Sequence, residues 1–272
     1  MRNNEERVGS LDNNQTNALA PLEFVNASFF VELPSKGLMY PPDHPLHNCD
    51  SVEVNEMTAA EEDIITNKSY IEQGVVLSRL VQSVLVDKSI KADSLLVGDK
   101  NAIIVQLRAK AYGYDYGATV QCPACSSKSK FSFNLAELAL NSGEMSEGTE
   151  KLDNGNISIT LSNGWVVECR MLNGKDEVRL LKQSQMKEKR KIESSPVTDF
   201  LNSIIVSVSG HKDREIIKKA VAFMSSSDTY RLRKSYSLAI PGVDMRQDFE
   251  CKSCGHVEEM EVPLTAEFFW PK

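Results

Sequence analysis

Apolar residues along this chain change spacing several times, and each change marks a new element. Phe29, Phe30, Val31 and Leu33 form a short extended run that ends in the turn sequence Pro34-Ser35-Lys36-Gly37. Leu38-Met39-Tyr40 stays extended up to Pro41-Pro42, and Ser51-Val52-Glu53-Val54 alternates as a second short strand. The spacing then becomes helical. Met57 to Asn67 opens with a capping box, in which Thr58 accepts from the Glu61 backbone and the Glu61 side chain reaches back to the cap. Ala59, Ala60, Ile64 and Ile65 supply its apolar face. Val75, Val76, Leu80, Val81 and Val84 predict one helix from Tyr70 to about Leu85. Asp99 reads as the N-cap of a third helix, which carries Ala102, Ile103, Val105, Leu107 and Ala109 and stops near Gly113.

Period two then returns. Tyr116 to Gln121 and Lys130 to Asn134 are extended and flank Cys122-Pro123-Ala124-Cys125, a hairpin with a metal knuckle at its tip. Residues 141–150 (NSGEMSEGTE) predict an acidic, flexible loop. Ile157 to Leu161 and Trp165 to Met171 predict a second hairpin around the turn Ser162-Asn163-Gly164. Helical spacing resumes over Lys175 to Ile192, Val197 to Val208 and Asp213 to Met224. A fourth helix, capped by Asp228, runs to Ala239 and is ended by Pro241-Gly242. Finally Met245 to Glu250 and His256 to Val262 flank Cys251-Lys252-Ser253-Cys254, repeating the first knuckle.

The pattern predicts an α+β fold, mainly helical with short antiparallel hairpins. Two zinc-knuckle hairpins are expected to form one split zinc ribbon with a helical insertion. Five segments follow: an N-terminal arm over 1–22, extended segments and helices over 23–113, and the first knuckle with β-hairpins over 114–172. The helical insertion spans 173–242, and the second knuckle with the C-terminal tail spans 243–272.

Composition narrows the function. With 31 basic against 38 acidic residues the net charge is -7, which argues against general affinity for nucleic acid, since nonspecific binding runs on clustered positive charge. No apolar run approaches the roughly 20 residues a membrane-spanning helix needs. The polar, Asn-rich start has no hydrophobic segment of signal-peptide type, so synthesis in a cytoplasm is expected, with the start a flexible arm or one that orders on a neighbouring subunit. The most basic run, Lys187-Glu188-Lys189-Arg190-Lys191, is explained by a solvated helix end that complements the helix dipole. No P-loop, dinucleotide fingerprint, nucleophile elbow or paired histidine–carboxylate motif is present, so the expectation is a protein without catalytic residues or a small-molecule substrate.

The cysteines carry the sharpest chemical signal. Zinc in a structural role takes four fixed soft ligands in a tetrahedron, and each CxxC turn offers two. Cys122, Cys125, Cys251 and Cys254 are therefore the expected ligands of one structural zinc ion. The gap between the pairs far exceeds the roughly 15–20 residues of a compact ribbon, which requires an inserted unit. Loop-closure entropy grows only logarithmically with length and permits it. Separate binding by each pair is the alternative. A thioredoxin-like redox role would place a helix directly after the pair, and neither pair is followed by a helical pattern. His256 lies close enough to Cys254 to substitute for a ligand, and His44, His47 and Cys49 are a candidate second site. The alternatives are an exposed strand residue and a loop with incidental histidines. Cys169 is expected as a buried small hydrophobe, and His211 faces solvent in a connecting loop.

Three stretches together resemble a known family: LPSKGLMYP at 33–41, MTAAEEDIITN at 57–67, and AIIVQLRAKAYGYDYGATVQCPAC at 102–125. With the second cysteine pair and the ending LTAEFFWPK, the chain resembles the baseplate hub subunits of contractile-tailed, T-even-like bacteriophages. The resemblance implies a structural or assembly role in the virion tail, with other tail and baseplate proteins as partners and a second copy of the chain as a further candidate. An assembly chaperone absent from the finished particle and a zinc-ribbon nucleic-acid adaptor are the competing readings. The acidic residues around the second knuckle, Asp248, Glu250, Glu258, Glu259 and Glu261, oppose the adaptor.

Overall fold

The computed structural model describes residues 26–193, 195–264 and 266–269. The expected N-terminal arm over 1–22 lies outside the described residues.

The chain builds two hydrophobic cores. The first begins with the antiparallel pair β1 (Ser28–Glu32) and β2 (Ser51–Asn55), in which Val31 faces Val52. Helices α1 (Ala59–Thr66), α2 (Lys68–Glu72) and α3 (Val76–Val84) follow. The predicted capping box is present: the Thr58 N–H donates to Glu61 Oε2 (3.0 Å), and Glu61 also accepts from the Ser83 hydroxyl on α3. The single helix expected over 70–85 is instead two. Gly74 adopts a left-handed φ of 67°, its N–H bonds Ile71 C=O and the Val75 N–H bonds Tyr70 C=O, a Schellman arrangement that stops α2.

Helix α4 (Val97–Tyr112) runs through the first core, with Ile103, Ile104 and Leu107 at most 1% exposed. It starts three residues earlier than expected, and Asp99 is not its cap. Asp99 lies inside the first turn, fully buried, where it accepts from the Ser35 N–H (3.0 Å) and the Ser35 hydroxyl (2.6 Å). The turn at 34–37 is thus anchored on the helix. Beyond α4 comes the hairpin β3 (Asp115–Gln121) and β4 (Lys128–Asn134), and a second hairpin joins this core near the C-terminus. Strand β3 alternates as the sequence predicts, burying Tyr116, Ala118 and Val120.

The second core is a four-stranded antiparallel sheet covered by helices. After the two-residue strand β5 (Leu140–Asn141) the sheet takes β6 (Thr149–Lys151), β7 (Ile157–Thr160) and β8 (Val166–Cys169). Helix α5 (Gly174–Lys189) and helix α6 (Pro196–Ile204) precede β9 (Ile205–Val208), which completes the order β6-β7-β8-β9. The helix expected over 197–208 therefore ends halfway. Ile205-Val206-Ser207-Val208 is β-branched at three of four positions and gains a partner in β8, so strand pairing overrides continued helix. Helix α7 (Arg214–Phe223) and helix α8 (Ser226–Ala239) close this core, with Ile217, Leu232 and Tyr236 buried. Asp213, expected as the first residue of this helix, is its N-cap, and α8 is capped by Ser225 rather than by Asp228, which lies in its first turn and accepts the Ser162 N–H (2.9 Å). The acidic segment 141–150 is not a free loop: β5 pairs with β10 (Gly242–Val243) and the Glu144 N–H bonds Leu238 C=O (2.7 Å).

The chain then returns to the first core through β11 (Arg246–Glu250) and β12 (Val257–Glu261), antiparallel to each other, and a short 3-10 turn at Ala266–Phe269. Phe268 and Phe269 are buried there, with Phe268 edge-on to Tyr116 (4.8 Å between centroids). Among the described residues no helix is long and apolar enough to cross a membrane.

Candidate metal centre

The two CxxC turns sit at the tips of two hairpins, one on β3–β4 and one on β11–β12, and the tips face each other. Each turn is built by the same backbone bonds. In the first, Cys122 N–H donates to Ser127 C=O (2.9 Å) and Ser126 N–H to Cys122 C=O (2.9 Å). In the second, Cys251 N–H donates to His256 C=O (2.8 Å) and Gly255 N–H to Cys251 C=O (2.8 Å). The turn requires a left-handed residue after the second cysteine: Gly255 has φ 71°, and Ser126 takes φ 59° in the matching place. Glycine adopts that region freely, while serine does so at a backbone cost of about 1–2 kcal/mol.

Hydrophobic packing brings the hairpins together before any ligand is considered. Phe249 on β11 is buried and meets Phe131 on β4 edge-on at 5.4 Å, and Phe131 in turn meets Phe133 at 4.9 Å. The hairpins remain separate two-stranded sheets. The Gln247 side chain links their backbones: its amide accepts from the Asn134 N–H (3.0 Å) and donates to Asn134 C=O (2.5 Å), standing in for a strand partner.

At the tips, the sulfurs of Cys122, Cys125, Cys251 and Cys254 all lie within 4.8 Å of one another. Cys122 Sγ is 3.8 Å from Cys254 Sγ and Cys125 Sγ is 3.7 Å from Cys251 Sγ, residues 126 positions apart in the second case. These distances are far beyond a disulfide, and all four cysteines are free. These two distances are close to the roughly 3.8 Å edge of a tetrahedron whose centre lies about 2.3 Å from each sulfur. Cys122 and Cys251 are 1% exposed, while Cys125 and Cys254 reach the surface. The four could hold a metal ion. The Ser127 hydroxyl, with N–H donors from Ser253 and Cys254, brings the Cys251 thiol down to about 6. Ser127 lowers Cys125 in the same way. Cys254 is drawn down by a backbone bond from His256, but its thiol neighbours, Cys125 first among those raising it, and burial push it up to about 12. Such an arrangement favours ionised sulfur at part of the cluster, as a cation site needs.

The remaining candidates take no part in this cluster. Among the described residues the four cysteines are the one group of three or more His, Cys, Asp or Glu side chains placed to share an ion. His256 pairs with Glu258 (3.2 Å) and points away from the thiols. His44 stacks on Tyr40 at 4.2 Å, accepts from the Leu46 N–H through Nδ1 and donates to Ser94 through Nε2. His47 donates to the Tyr40 carbonyl, and the Cys49 thiol points at the Pro45 carbonyl, so these three residues shape a loop. Cys169 is fully buried in the second core, where burial pushes its thiol up to about 12. His211 is exposed. The basic run lies at the end of α5, where Lys187 pairs with Asp199 (2.5 Å). Neither CxxC pair opens a helix: β4 and β12 follow them, which is not the thioredoxin arrangement. Sequence reasoning passed over Ser127, whose hydroxyl is 3.0 Å from Cys125 Sγ and 3.5 Å from Cys251 Sγ, because a serine beside a CxxC carries no pattern of its own.

Nothing among curated proteins and nothing among solved structures matches the chain significantly. A family model, described as T4 bacteriophage base plate protein, matches residues 27–270, which spans both cores and both cysteine pairs. The chain belongs to the T4 bacteriophage base plate protein family.

Proposed function

We propose that this chain is a non-enzymatic structural component of a phage tail baseplate, in its hub region, acting through contacts with other tail proteins and stabilised by one structural zinc ion. Cys122, Cys125, Cys251 and Cys254 are its ligands. The observation that carries the zinc reading is the convergence of four free thiols, all within 4.8 Å of one another, from two hairpins far apart in sequence. Four thiolates fill the coordination shell and leave no open position for a water nucleophile, so the ion supplies cross-linking and folding energy. The family match supports the baseplate role. The exposed face of β11–β12 carries Asp248, Glu250, Glu259 and Glu261 against Arg246, which opposes a phosphate backbone and favours a protein partner.

Native mass spectrometry of the full chain under reducing conditions tests the metal: one zinc per chain is expected. Cys122→Ser and Cys251→Ser should each lose the ion and destabilise the protein to a similar extent, because the two pairs share one site. Retention of full zinc and normal stability by either variant would refute the shared site. Mass spectrometry of purified tails tests the location: the chain is expected among the particle proteins. Its absence there, with presence in assembly intermediates, would establish the chaperone reading instead.

A further inference from the structure

The two knuckles are alike in backbone, but the residue that closes each turn carries a different side chain. Ser127 and His256 occupy the same place, each accepting through its carbonyl from the first cysteine of its own turn. The His256 ring turns outward to Glu258, whereas the Ser127 hydroxyl turns inward, 3.0 Å from Cys125 of its own knuckle and 3.5 Å from Cys251 of the other. The Ser127 hydroxyl is thus within hydrogen-bond reach of sulfurs of both turns. Ser127 is half-buried, so water competes only in part for its proton.

Around a divalent ion four thiolates leave an excess of two negative charges, and sulfurs without protons can only accept hydrogen bonds. The hydroxyl is then the donor, shared between Cys125 and Cys251. A donor on a thiolate withdraws electron density from sulfur and fixes the direction of its lone pairs, the role played by groups surrounding the ligands of other metal sites. Cys125 is the ligand that most needs this, since it lies on the exposed side of the cluster.

We propose that Ser127 is a positioning residue of the four-cysteine site, whose hydroxyl bridges the two knuckles and tunes the thiolates of Cys125 and Cys251 toward the metal. The inference rests on the zinc reading above, and the test separates the two. The full-length protein, Ser127→Ala and Ser127→Thr are stripped of metal under reducing conditions, titrated with Co2+, and followed by the thiolate-to-cobalt charge-transfer absorption. Zinc affinity is then measured by competition with a chelator. Ser127→Ala is expected to bind the metal about ten- to a hundredfold more weakly and to move the charge-transfer band to longer wavelength, because the sulfur lone pairs lose their donor. Ser127→Thr keeps the hydroxyl and is expected to restore both. If Ser127→Ala does not fold, the isosteric pair Ser127→Thr and Ser127→Val provides the same comparison. Unchanged band and affinity in the variant lacking the hydroxyl would overturn the role of Ser127 while leaving the metal site standing. A wild-type protein that takes up neither Co2+ nor Zn2+ would overturn both.

Discussion

Two buried aspartates show how neighbours decide the sign of a charge's contribution. Asp99 and Asp176 both sit in the first turn of a helix, 0% and 6% exposed. Burial dominates at Asp99 and raises its pKa, even though Ser35 donates two hydrogen bonds to it. At Asp176 burial also acts upward, but the Arg170 fork (2.6 and 2.7 Å) and the Asn173 N–H together win, so the carboxyl is held below its usual range. A carboxylate with a depressed folded-state pKa contributes stability that is present above the unfolded value, near pH 4, and is lost as pH falls through the folded value. Asp176→Asn keeps the shape and loses the charge. It is expected to cost about 2–3 kcal/mol at pH 7, with the difference from wild type shrinking below about pH 4, in urea unfolding at a series of pH values. A difference that stays constant across that range would mean the pair contributes through shape alone.

At the scale of elements, the seam between the cores depends on close backbone approach. Helix α4 meets β10 so tightly that a Cβ built on Gly98 would lie 2.0 Å from the Pro241 carbonyl oxygen. Around that contact Leu96 bridges to Asn173, and Lys100 pairs with Glu177 on α5. Gly98→Ala must push the chain at Pro241-Gly242 away from α4, an overpacking expected to cost about 3 kcal/mol and to lower the melting temperature by several degrees. A variant that melts with the wild type would show that the seam gives way without loss. The same proximity explains why the acidic stretch 141–150 is structured: β5 has β10 as a partner, and β10 is held by α4.

The whole molecule places its candidate metal centre in the first core, while the second core is built from other residues. Cys122 and Cys251 pack with α3, α4 and the C-terminal Phe268 and Phe269. Ile157, Val167, Ile204 and Leu232 pack in a separate cluster. An ion bound to the four thiols would tie β3–β4 to β11–β12 and stabilise the first core directly. Hydrogen exchange followed with and without chelator should therefore show faster exchange in 115–134 and 246–261 after metal removal, with β7 and β8 nearly unchanged. Equal acceleration everywhere would mean that the two cores open as one unit. Met39 contributes to the second core from a turn whose neighbours Leu33 and Tyr40 lie in the first, so the segment 33–40 stitches both.

Local chemistry made much of this readable from residues alone. The Thr58/Glu61 box, the alternation of β3, the hairpin at 157–169 and the two CxxC turns are each specified by residues within a few positions of one another, where backbone geometry and side-chain reach suffice. The same locality let the four cysteines be named as candidates that could share one ion. Tertiary structure alone decided the rest. It turned 205–208 from helix to strand because β8 offered a partner, and it buried Asp99 because Ser35, distant in sequence, brought donors to it. It also aimed the Ser127 hydroxyl at sulfurs of both knuckles. In each case the deciding partner lies far along the chain, and the free energy of that contact exceeds the local preference it replaces.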